Sequence, residues 1–446
     1  MPFALLAAPA LAVLLPVLAP ARAPRYVRLR LDVVAYGVHG SGELLVDRAT
    51  ARFVRRFDAG PVSEREGWDG THAWRADATG MARIEGNRAQ RDAIRAFARA
   101  FARVLGGGTA TRIVRHPGAT TETTTLADRR IVDGLNVPFA LDDVSVDGEW
   151  RASVRAVSVA PLADAAFAPP APPHDVVLTG TTSVALDPSF DLPVVQVRVD
   201  EGPALRFLLD TGGQNVITPA AARRCGLVVV GEGTVDGVGP NVVPVRYAAA
   251  RTVQIGTAVL RDQPFVVLDL GSALPVDGIV GYELLARLAA RLDLAHHQLA
   301  LARSAGAFGG GGARVPFVYD ERQPQVEGAL DGIAGAAGVD TGNDGPLEVY
   351  SHFVRAHDLV HRYHALPDDS SYVGVGGPVA GYLARARSLR IGGVSVDDVA
   401  VHLTTSLARG EESDPSVAMQ IGDPVWKRFV VIFDYPRRLL RLIPSR

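Results

Sequence analysis

The chain has 446 residues, a formal net charge of −2 and an apolar fraction of 48%. This length exceeds one ordinary hydrophobic core, so two or three domains are expected. The near-balanced charge argues against a nucleic-acid partner, and the single cysteine, Cys225, excludes an intrachain disulfide.

The first 23 residues contain an apolar run from Phe3 to Ala19, followed by alanines at positions 21 and 23. Such a run before small residues is typical of a secretory signal peptide. The run lacks a basic start and is interrupted by prolines, so an uncleaved membrane anchor is the alternative. We therefore expect an exported protein, periplasmic or secreted, that stays tethered to a membrane if this segment is not removed.

Residues 24–160 are predicted to form an N-terminal α+β domain of unknown role. Strand-like runs at 26–35 and 42–57 precede residues 88–105, where apolar side chains recur at helical spacing. The pattern then returns to strands. Residues 161–175 are rich in alanine and proline and are predicted to be a linker.

The tripeptide Asp210-Thr211-Gly212 follows a predicted hairpin. Apolar runs at 194–199 and 204–209 flank a turn, and the second run leads directly into Asp210. A short helix is predicted after Thr218, which is a suitable N-cap, because Pro219 follows it and Gly226 provides an end.

The same tripeptide recurs at Asp340-Thr341-Gly342. Apolar residues at 326–330, the turn residues Asp331-Gly332 and a second run at 333–339 precede it, so the same hairpin is predicted. By analogy with the first copy, a helix is expected at 347–359.

Later landmarks keep the same spacing after each tripeptide. Gly281 precedes Asp293 by 12 positions, and Gly422 precedes Asp434 by 12. An internal repeat of two lobes, 176–304 and 313–446, is the simplest interpretation.

These residues resemble the signature of bacterial aspartyl proteases of the retropepsin and pepsin type, in a form with two fused lobes. The signature is an apolar pair before Asp-Thr-Gly and a later apolar-apolar-Gly strand, as in 208–212 with 279–281 and 338–342 with 420–422. Gly338 and Gln420 depart from it. The resemblance covers residues 176–446 and implies a mainly β, bilobal acid protease fold in which each apolar-apolar-Gly strand crosses under its Asp loop at a central cleft.

Asp210 and Asp340 are the predicted catalytic pair. At an effective dielectric near 20, two charges about 4 Å apart repel by roughly 4 kcal/mol, or about 3 pK units. Two facing carboxyls therefore share one proton, and the pair offers a base and an acid together. The predicted activity is that of an aspartic endopeptidase, which activates water for peptide hydrolysis without a metal or cofactor.

The neighbouring residues are predicted to support this pair. Gly212 and Gly342 allow tight turns beside the carboxyls, and the resemblance implies that Thr211 and Thr341 form hydrogen bonds across the lobe junction. Asn343 and Asp344 follow the second tripeptide as candidate tuning residues. A carboxylate there raises the pKa of the pair if it is buried and has little effect if it is solvated.

Two glycine-rich stretches, 235–245 and 372–381, lie where the family carries a flap over its substrate. The candidate flap residues are Gly237, Gly239, Tyr372, Gly374 and Gly376. A plain surface tyrosine is the alternative for Tyr372.

The expected partner is a peptide or protein substrate, and the chain is expected to be a monomer because each lobe supplies one aspartate. The alternative function is a non-catalytic periplasmic peptide- or lipoprotein-binding protein built on the same lobes. His296, His297, His361 and His364 lack ligands at metal-binding spacing, so no metal site is predicted.

Overall fold

The computed structural model describes residues 23–271, 274–368, 372–405 and 410–445, without the side chains of Tyr372 and Val373. Apart from Ala23, the predicted signal or anchor segment lies outside the described residues. Within the described ranges, no helix has the length and apolar character needed to cross a membrane.

The N-terminal part of the described chain is an antiparallel ten-stranded sheet covered by one helix, α1 (Arg88–Leu105). The sheet order is β6-β5-β4-β3-β2-β1-β10-β9-β8-β7. Its strands are β1 (Tyr26–Ala35), β2 (Val38–Asp47), β3 (Arg52–Asp58), β4 (Glu64–Trp68), β5 (Ala73–Ala76), β6 (Ala82–Ile84), β7 (Arg112–Arg115), β8 (Glu122–Val132), β9 (Leu135–Ser145) and β10 (Gly148–Ser158).

The predicted helix at 88–105 is confirmed. Asn87 caps it, because its side chain accepts a hydrogen bond from the Ala89 N–H at 2.8 Å. Ile94, Phe97 and Phe101 are fully buried between the helix and the sheet.

The strand character predicted at 42–57 is confirmed except at 48–51, where the chain turns between β2 and β3. Asp47 stabilises that turn by accepting hydrogen bonds from the Ala49 N–H at 3.1 Å and the Thr50 hydroxyl at 2.8 Å.

The first tripeptide belongs to an eight-stranded sheet with the order β11-β18-β15-β19-β14-β13-β17-β16. The predicted hairpin (β13 and β14) and the helix after Thr218 (α2) are confirmed. The elements of this part of the chain are β11 (Val176–Val177), β12 (Thr181–Ala185), β13 (Val194–Val199), β14 (Ala204–Leu209), β15 (Val216–Ile217), α2 (Pro219–Arg224), β16 (Val229–Val235), β17 (Val243–Ile255), β18 (Ala258–Val267), β19 (Gly278–Val280), α3 (Tyr282–Leu285), β20 (Ala289–Asp293) and β21 (Gln298–Ala302).

The second tripeptide belongs to a 13-stranded sheet in the described chain, with the order β12-β21-β20-β32-β33-β22-β23-β24-β31-β25-β30-β29-β26. A separate pair, β27 and β28, forms a small hairpin. The elements are β22 (Ala313–Asp320), β23 (Gln323–Leu330), β24 (Ile333–Val339), β25 (Leu347–Val349), α4 (Ser351–Ala356), α5 (Leu359–Arg362), β26 (Leu366–Pro367), β27 (Tyr372–Gly374), β28 (Gly377–Val379), β29 (Gly381–Ile391), β30 (Val394–Thr404), β31 (Met419–Ile421), α6 (Asp423–Trp426), β32 (Phe429–Asp434) and β33 (Leu439–Pro444).

The predicted hairpin before Asp340 is confirmed, but the helix predicted at 347–359 is wrong at its first four residues. Leu347–Val349 is a buried strand that lies between β30 and β31. The helical residues begin at Ser351, and a break at Asp358, with φ of 50°, separates α4 from α5.

Short 3₁₀ turns complete the described chain at Gly60–Val62, Asp164–Phe167, Ala305–Phe308, Glu411–Ser413 and Tyr435–Arg437.

Each strand that ends in the tripeptide has a parallel neighbour from the later apolar-apolar-Gly segment. Leu208 of β14 pairs with Ile279 of β19, and Gly338 of β24 pairs with Gln420 of β31. The predicted fold class is confirmed in that the described chain is mainly β and has an N-terminal α+β part. The domain limits and the internal repeat stay predictions, since one sheet and one hydrophobic cluster run through both lobes.

Candidate active site

Asp210 and Asp340 face each other at the junction of the lobes. A Cβ built on Gly212 would lie 2.9 Å from Cγ of Asp340, and one built on Gly342 would lie 2.7 Å from Cγ of Asp210. Each tripeptide glycine therefore lets the opposite carboxyl approach the backbone, which no side chain would allow.

Each aspartate is also held by its own loop. The Gly212 N–H donates to Asp210 Oδ1 and the Gly342 N–H donates to Asp340 Oδ1, both at 2.7 Å. The two carboxyls thus have matching orientations, as expected of groups that share one water molecule.

Thr211 and Thr341, both fully buried, join the two loops through four hydrogen bonds. The Thr211 hydroxyl donates to the Val339 carbonyl at 2.8 Å, and the Thr341 hydroxyl donates to the Leu209 carbonyl at 2.7 Å. Each hydroxyl also accepts from the other threonine's N–H, at 3.0 and 3.1 Å. The contact is reciprocal and fixes the separation of the two aspartates.

The environment raises the proton affinity of both carboxyls. Burial, followed by repulsion from Asp340, raises the pKa of Asp210 well above its usual range. Burial also raises the pKa of Asp340, although hydrogen bonds from Asp210, Gly342 and Gln420 oppose the rise. The pair therefore retains a shared proton at pH values where an isolated aspartate is ionised.

Gln420 makes the two carboxyls unequal. Its side-chain amide donates to Asp340 Oδ2, while its carbonyl oxygen accepts from the Tyr350 hydroxyl at 2.5 Å. The hydroxyl fixes the orientation of the amide. Ile279 occupies the equivalent place beside Asp210 and offers no such donor. The sequence marked Gln420 as a departure from the apolar signature but did not indicate this contact.

The two candidate tuning residues, Asn343 and Asp344, differ in solvent exposure. Asn343 is buried, and its side chain accepts from the Gly345 N–H at 2.7 Å, so it shapes its own loop. Asp344 is exposed. A carboxyl that the sequence did not single out, Glu411, also acts on the pair, since its charge contributes to the raised pKa of Asp210. Tuning by Asp344 stays a prediction.

The two glycine-rich stretches meet as a pair of hairpin tips. The Gly239 N–H donates to the Val375 carbonyl at 2.8 Å, and the Asn241 side chain donates to the Gly376 carbonyl at 2.8 Å. Gly237 packs against Val375, and Gly374 against Val238. Both tips line the same cavity as the two aspartates. The backbone of Tyr372 lies in β27, but its side chain is outside the described residues.

The cavity has a volume of about 820 Å³ and reaches into the N-terminal part of the chain. Tyr36, Arg55 and Asp147 contribute to its wall together with Asp210 and Asp340. The N-terminal part also holds the first hairpin, because the Glu232 N–H donates to the Tyr36 carbonyl at 2.8 Å and the Thr234 N–H donates to the Asp147 carbonyl at 2.9 Å. The sequence did not predict this contact.

The histidines weighed as metal ligands lie at the surface. His296 and His297 are exposed in the turn between β20 and β21, and His361 and His364 are exposed near α5. His296 Nδ1 lies 2.8 Å from Asp293 Oδ1, which accounts for its position without an ion.

Comparison with known proteins gives a family match over part of the chain and likenesses to solved structures. Residues 195–284 match a sequence family described as aspartyl protease, so the match contains Asp210 and Gly281 but not Asp340. No curated protein matches the chain. The crystal structure of an aspartic proteinase from Irpex lacteus is similar with a TM-score of 0.42 and 16% sequence identity, covering 60% of this chain and 98% of that chain.

Proposed function

We propose that this protein is an aspartic endopeptidase in which Asp210 and Asp340 together activate a water molecule. The observation that carries the proposal is the reciprocal placement of each carboxyl against the glycine of the opposite tripeptide. The two Cγ atoms lie 2.9 and 2.7 Å from the points where a Cβ would stand on Gly212 and Gly342. The family match over the first lobe supports an aspartic protease in general.

The asymmetry of the pair suggests how the two roles divide. Asp340 receives hydrogen bonds from Gln420 and Gly342, which favour its ionised form. Asp210 then holds the shared proton. Ionised Asp340 takes a proton from water as the water oxygen attacks the peptide carbonyl, and Asp210 donates its proton to the developing oxyanion. Collapse of this tetrahedral species, with a proton returned to the amine, breaks the peptide bond.

The cavity favours an extended peptide as the substrate. It is lined by both hairpin tips and by both aspartates, so a peptide bound at the aspartates would also contact the tips. We propose a monomeric enzyme, exported to the periplasm or secreted and tethered to a membrane if the N-terminal segment is retained. The apolar run at 3–19 supports that location.

Replacement of either aspartate tests the proposal. Asp210→Asn and Asp340→Asn are each expected to lower kcat for peptide hydrolysis by about 10²-fold to 10⁴-fold, because acid and base act as one unit. Asp358→Asn is the matched control, since Asp358 is exposed between α4 and α5 and does not line the cavity that contains the two aspartates. Hydrolysis is measured with a peptide library between about pH 3 and 8, and folding by circular dichroism.

Two outcomes would contradict the proposal. Full activity in either variant rules out a pair that works as a unit. A wild-type protein that binds peptides from the library but cleaves none of them favours the non-catalytic binding protein.

A further inference from the structure

A second group of buried polar side chains lies on β25, β30 and a nearby turn, with β31 between β25 and the strand that leads into Asp340. Glu348 of β25 pairs in register with His402 of β30, and Glu412 reaches them from the 3₁₀ turn at Glu411–Ser413. One ligand atom of each residue lies within 4.8 Å of the others. The three residues are between 1% and 3% exposed, so they form a closed group.

Two carboxylate oxygens of this group are buried without a partner. Among the described residues, none donates a hydrogen bond to Glu348 Oε1 or to Glu412 Oε1. The other oxygens are used, since Glu348 Oε2 lies 2.6 Å from His402 Nδ1 and Glu412 Oε2 accepts from the Thr404 hydroxyl. Buried carboxylates are costly unless they are paired with a positive charge, bound to a metal or protonated.

We propose that Glu348, His402 and Glu412 bind a divalent transition-metal ion. Imidazole and carboxylate donors on one ion are typical of Zn²⁺, which also accepts the low coordination numbers of closed structural sites. Donors that bind Zn²⁺ at about 2.1 Å in a tetrahedron stand roughly 3.4 Å apart, so a small inward movement of the three side chains would supply three of the four donors.

The surroundings of His402 fit a ligand histidine. The ring has a carboxylate on each side, because Nδ1 lies 2.6 Å from Glu348 Oε2 and Nε2 lies 3.6 Å from Asp368 Oδ2. Histidine ligands commonly direct their second ring nitrogen to a carboxylate, which fixes the ring and strengthens the bond to the metal. Asp368 is therefore a candidate fourth ligand or orienting group.

The ion would be structural and separate from the hydrolytic chemistry. It would join β25 and β30 to the 3₁₀ turn, whose Glu411 N–H donates to the Gly237 carbonyl in the first hairpin tip at 3.0 Å. Glu348 also pairs in register with Gln420, the donor to Asp340. Binding of the ion is thus expected to order both the turn beside the hairpin tip and the strand beside the aspartate pair.

Metal content and thermal unfolding of the full chain test this site. Protein purified without chelator is expected to contain one Zn²⁺ or similar ion per chain by mass spectrometry. EDTA treatment is expected to lower the Tm, and added Zn²⁺, with Mn²⁺ as the comparison ion, to restore it. Two results together would overturn the proposal: no bound ion per chain after saturation with Zn²⁺ or Mn²⁺, and a Tm that EDTA does not change. The buried carboxyls would then be protonated and not bound to a metal.

Glu412→Gln tests the assignment of the ligands, because glutamine keeps the size of the side chain and removes its charge. Zn²⁺ affinity by calorimetry is expected to fall at least about tenfold. Asp423→Asn is the matched control, since Asp423 is fully buried in the same lobe, and within the described part of the chain neither of its carboxylate oxygens accepts a hydrogen bond. Unchanged Zn²⁺ affinity in Glu412→Gln, or an equal loss in Asp423→Asn, would show that these residues are not the site.

Discussion

At the residue scale, Gln420 is the side chain that distinguishes the two carboxyls of the pair. It donates to Asp340, whereas the equivalent Ile279 cannot donate to Asp210. A hydrogen bond to an ionised carboxylate is worth more than one to a neutral group. Gln420 therefore stabilises the singly ionised pair relative to the fully protonated one.

Gln420→Leu is expected to raise the lower macroscopic pKa of the pair, because the ionised form loses a donor. The acid limb of the kcat/KM profile should move to higher pH by about one unit, which corresponds to about 1.4 kcal/mol. The profile is measured with a cleaved peptide from about pH 2 to 8.

Tyr350→Phe tests the same hydrogen bond to Asp340 indirectly. It removes the hydroxyl that orients the Gln420 amide, so a smaller shift in the same direction is expected. Ile279→Val, at the equivalent place in the first lobe, is the control and should leave the acid limb where it is. An acid limb that stays in place in Gln420→Leu would show that this hydrogen bond does not set the ionisation of the pair.

The sequence predicted the two aspartates and their supporting residues from local pattern, since each lies in a contiguous signature. The part played by Gln420 could not be predicted in this way. It depends on β31 lying parallel to β24 some 80 positions away, so that a polar residue in an apolar strand points at Asp340. Glu411 is similar, since a loop from another part of the lobe brings it to the pair.

At the element scale, the two hairpin tips close over the cavity by backbone contact. Gly239 lies so near the second tip that a Cβ there would be 2.3 Å from the Gly376 carbonyl carbon. Such an approach is open to glycine alone. The glycines of the two tips therefore allow direct backbone contact. The sequence indicated only that both stretches are rich in glycine.

Gly239→Ala is expected to separate the tips and to lower kcat/KM by about tenfold, because closure over the substrate contributes to positioning and to exclusion of water. Gly393→Ala is the control, since a Cβ at that position meets no atom within 4 Å. Hydrogen exchange of residues 236–242 should rise in Gly239→Ala and stay unchanged in the control. Normal exchange together with normal kcat/KM would show that contact between the tips is not needed for function.

Element types were predictable where one pattern dominated, as in the hairpins before each aspartate and in α1. The helix predicted at 347–359 was wrong in where it starts, because its bounds were inferred by analogy with the first lobe. Leu347–Val349 is buried throughout since β30 and β31 enclose it, and a short buried run of this kind suits a strand as well as a helix.

At the scale of the whole molecule, the N-terminal part makes hydrogen bonds to the rest of the chain. The backbone N–H groups of Gly86 and Asn87 donate to the Tyr319 carbonyl at 2.9 Å, and the Asn87 side chain donates to Asp320 Oδ2 at 2.9 Å. The start of α1 thus lies on the turn between β22 and β23, while the turns at Tyr36 and Asp147 bind β16 of the first hairpin. Contacts between distant segments of this kind leave no local signal, so the sequence could not predict them.

Asp320 makes this junction sensitive to pH. Burial, followed by repulsion from Glu321, raises its pKa to about 8, although the hydrogen bond from Asn87 opposes the rise. In the unfolded chain an aspartate ionises near pH 4. The folded state therefore holds a proton that the unfolded state has lost, and the stabilisation that results is complete below about pH 4 and is lost as the pH rises towards 8.

Asp320→Asn should weaken the dependence of stability on pH, because asparagine stays neutral while keeping the shape of the side chain. Between about pH 5 and 8, the Tm of the wild-type chain is expected to fall by at least about 2 °C more than that of Asp320→Asn. Differential scanning calorimetry measures both. Asp262→Asn, at an exposed position of β18 where the pairing with β17 is irregular, should follow the wild type. Parallel curves for wild type and Asp320→Asn would mean that protonation of Asp320 does not set the pH dependence of the Tm.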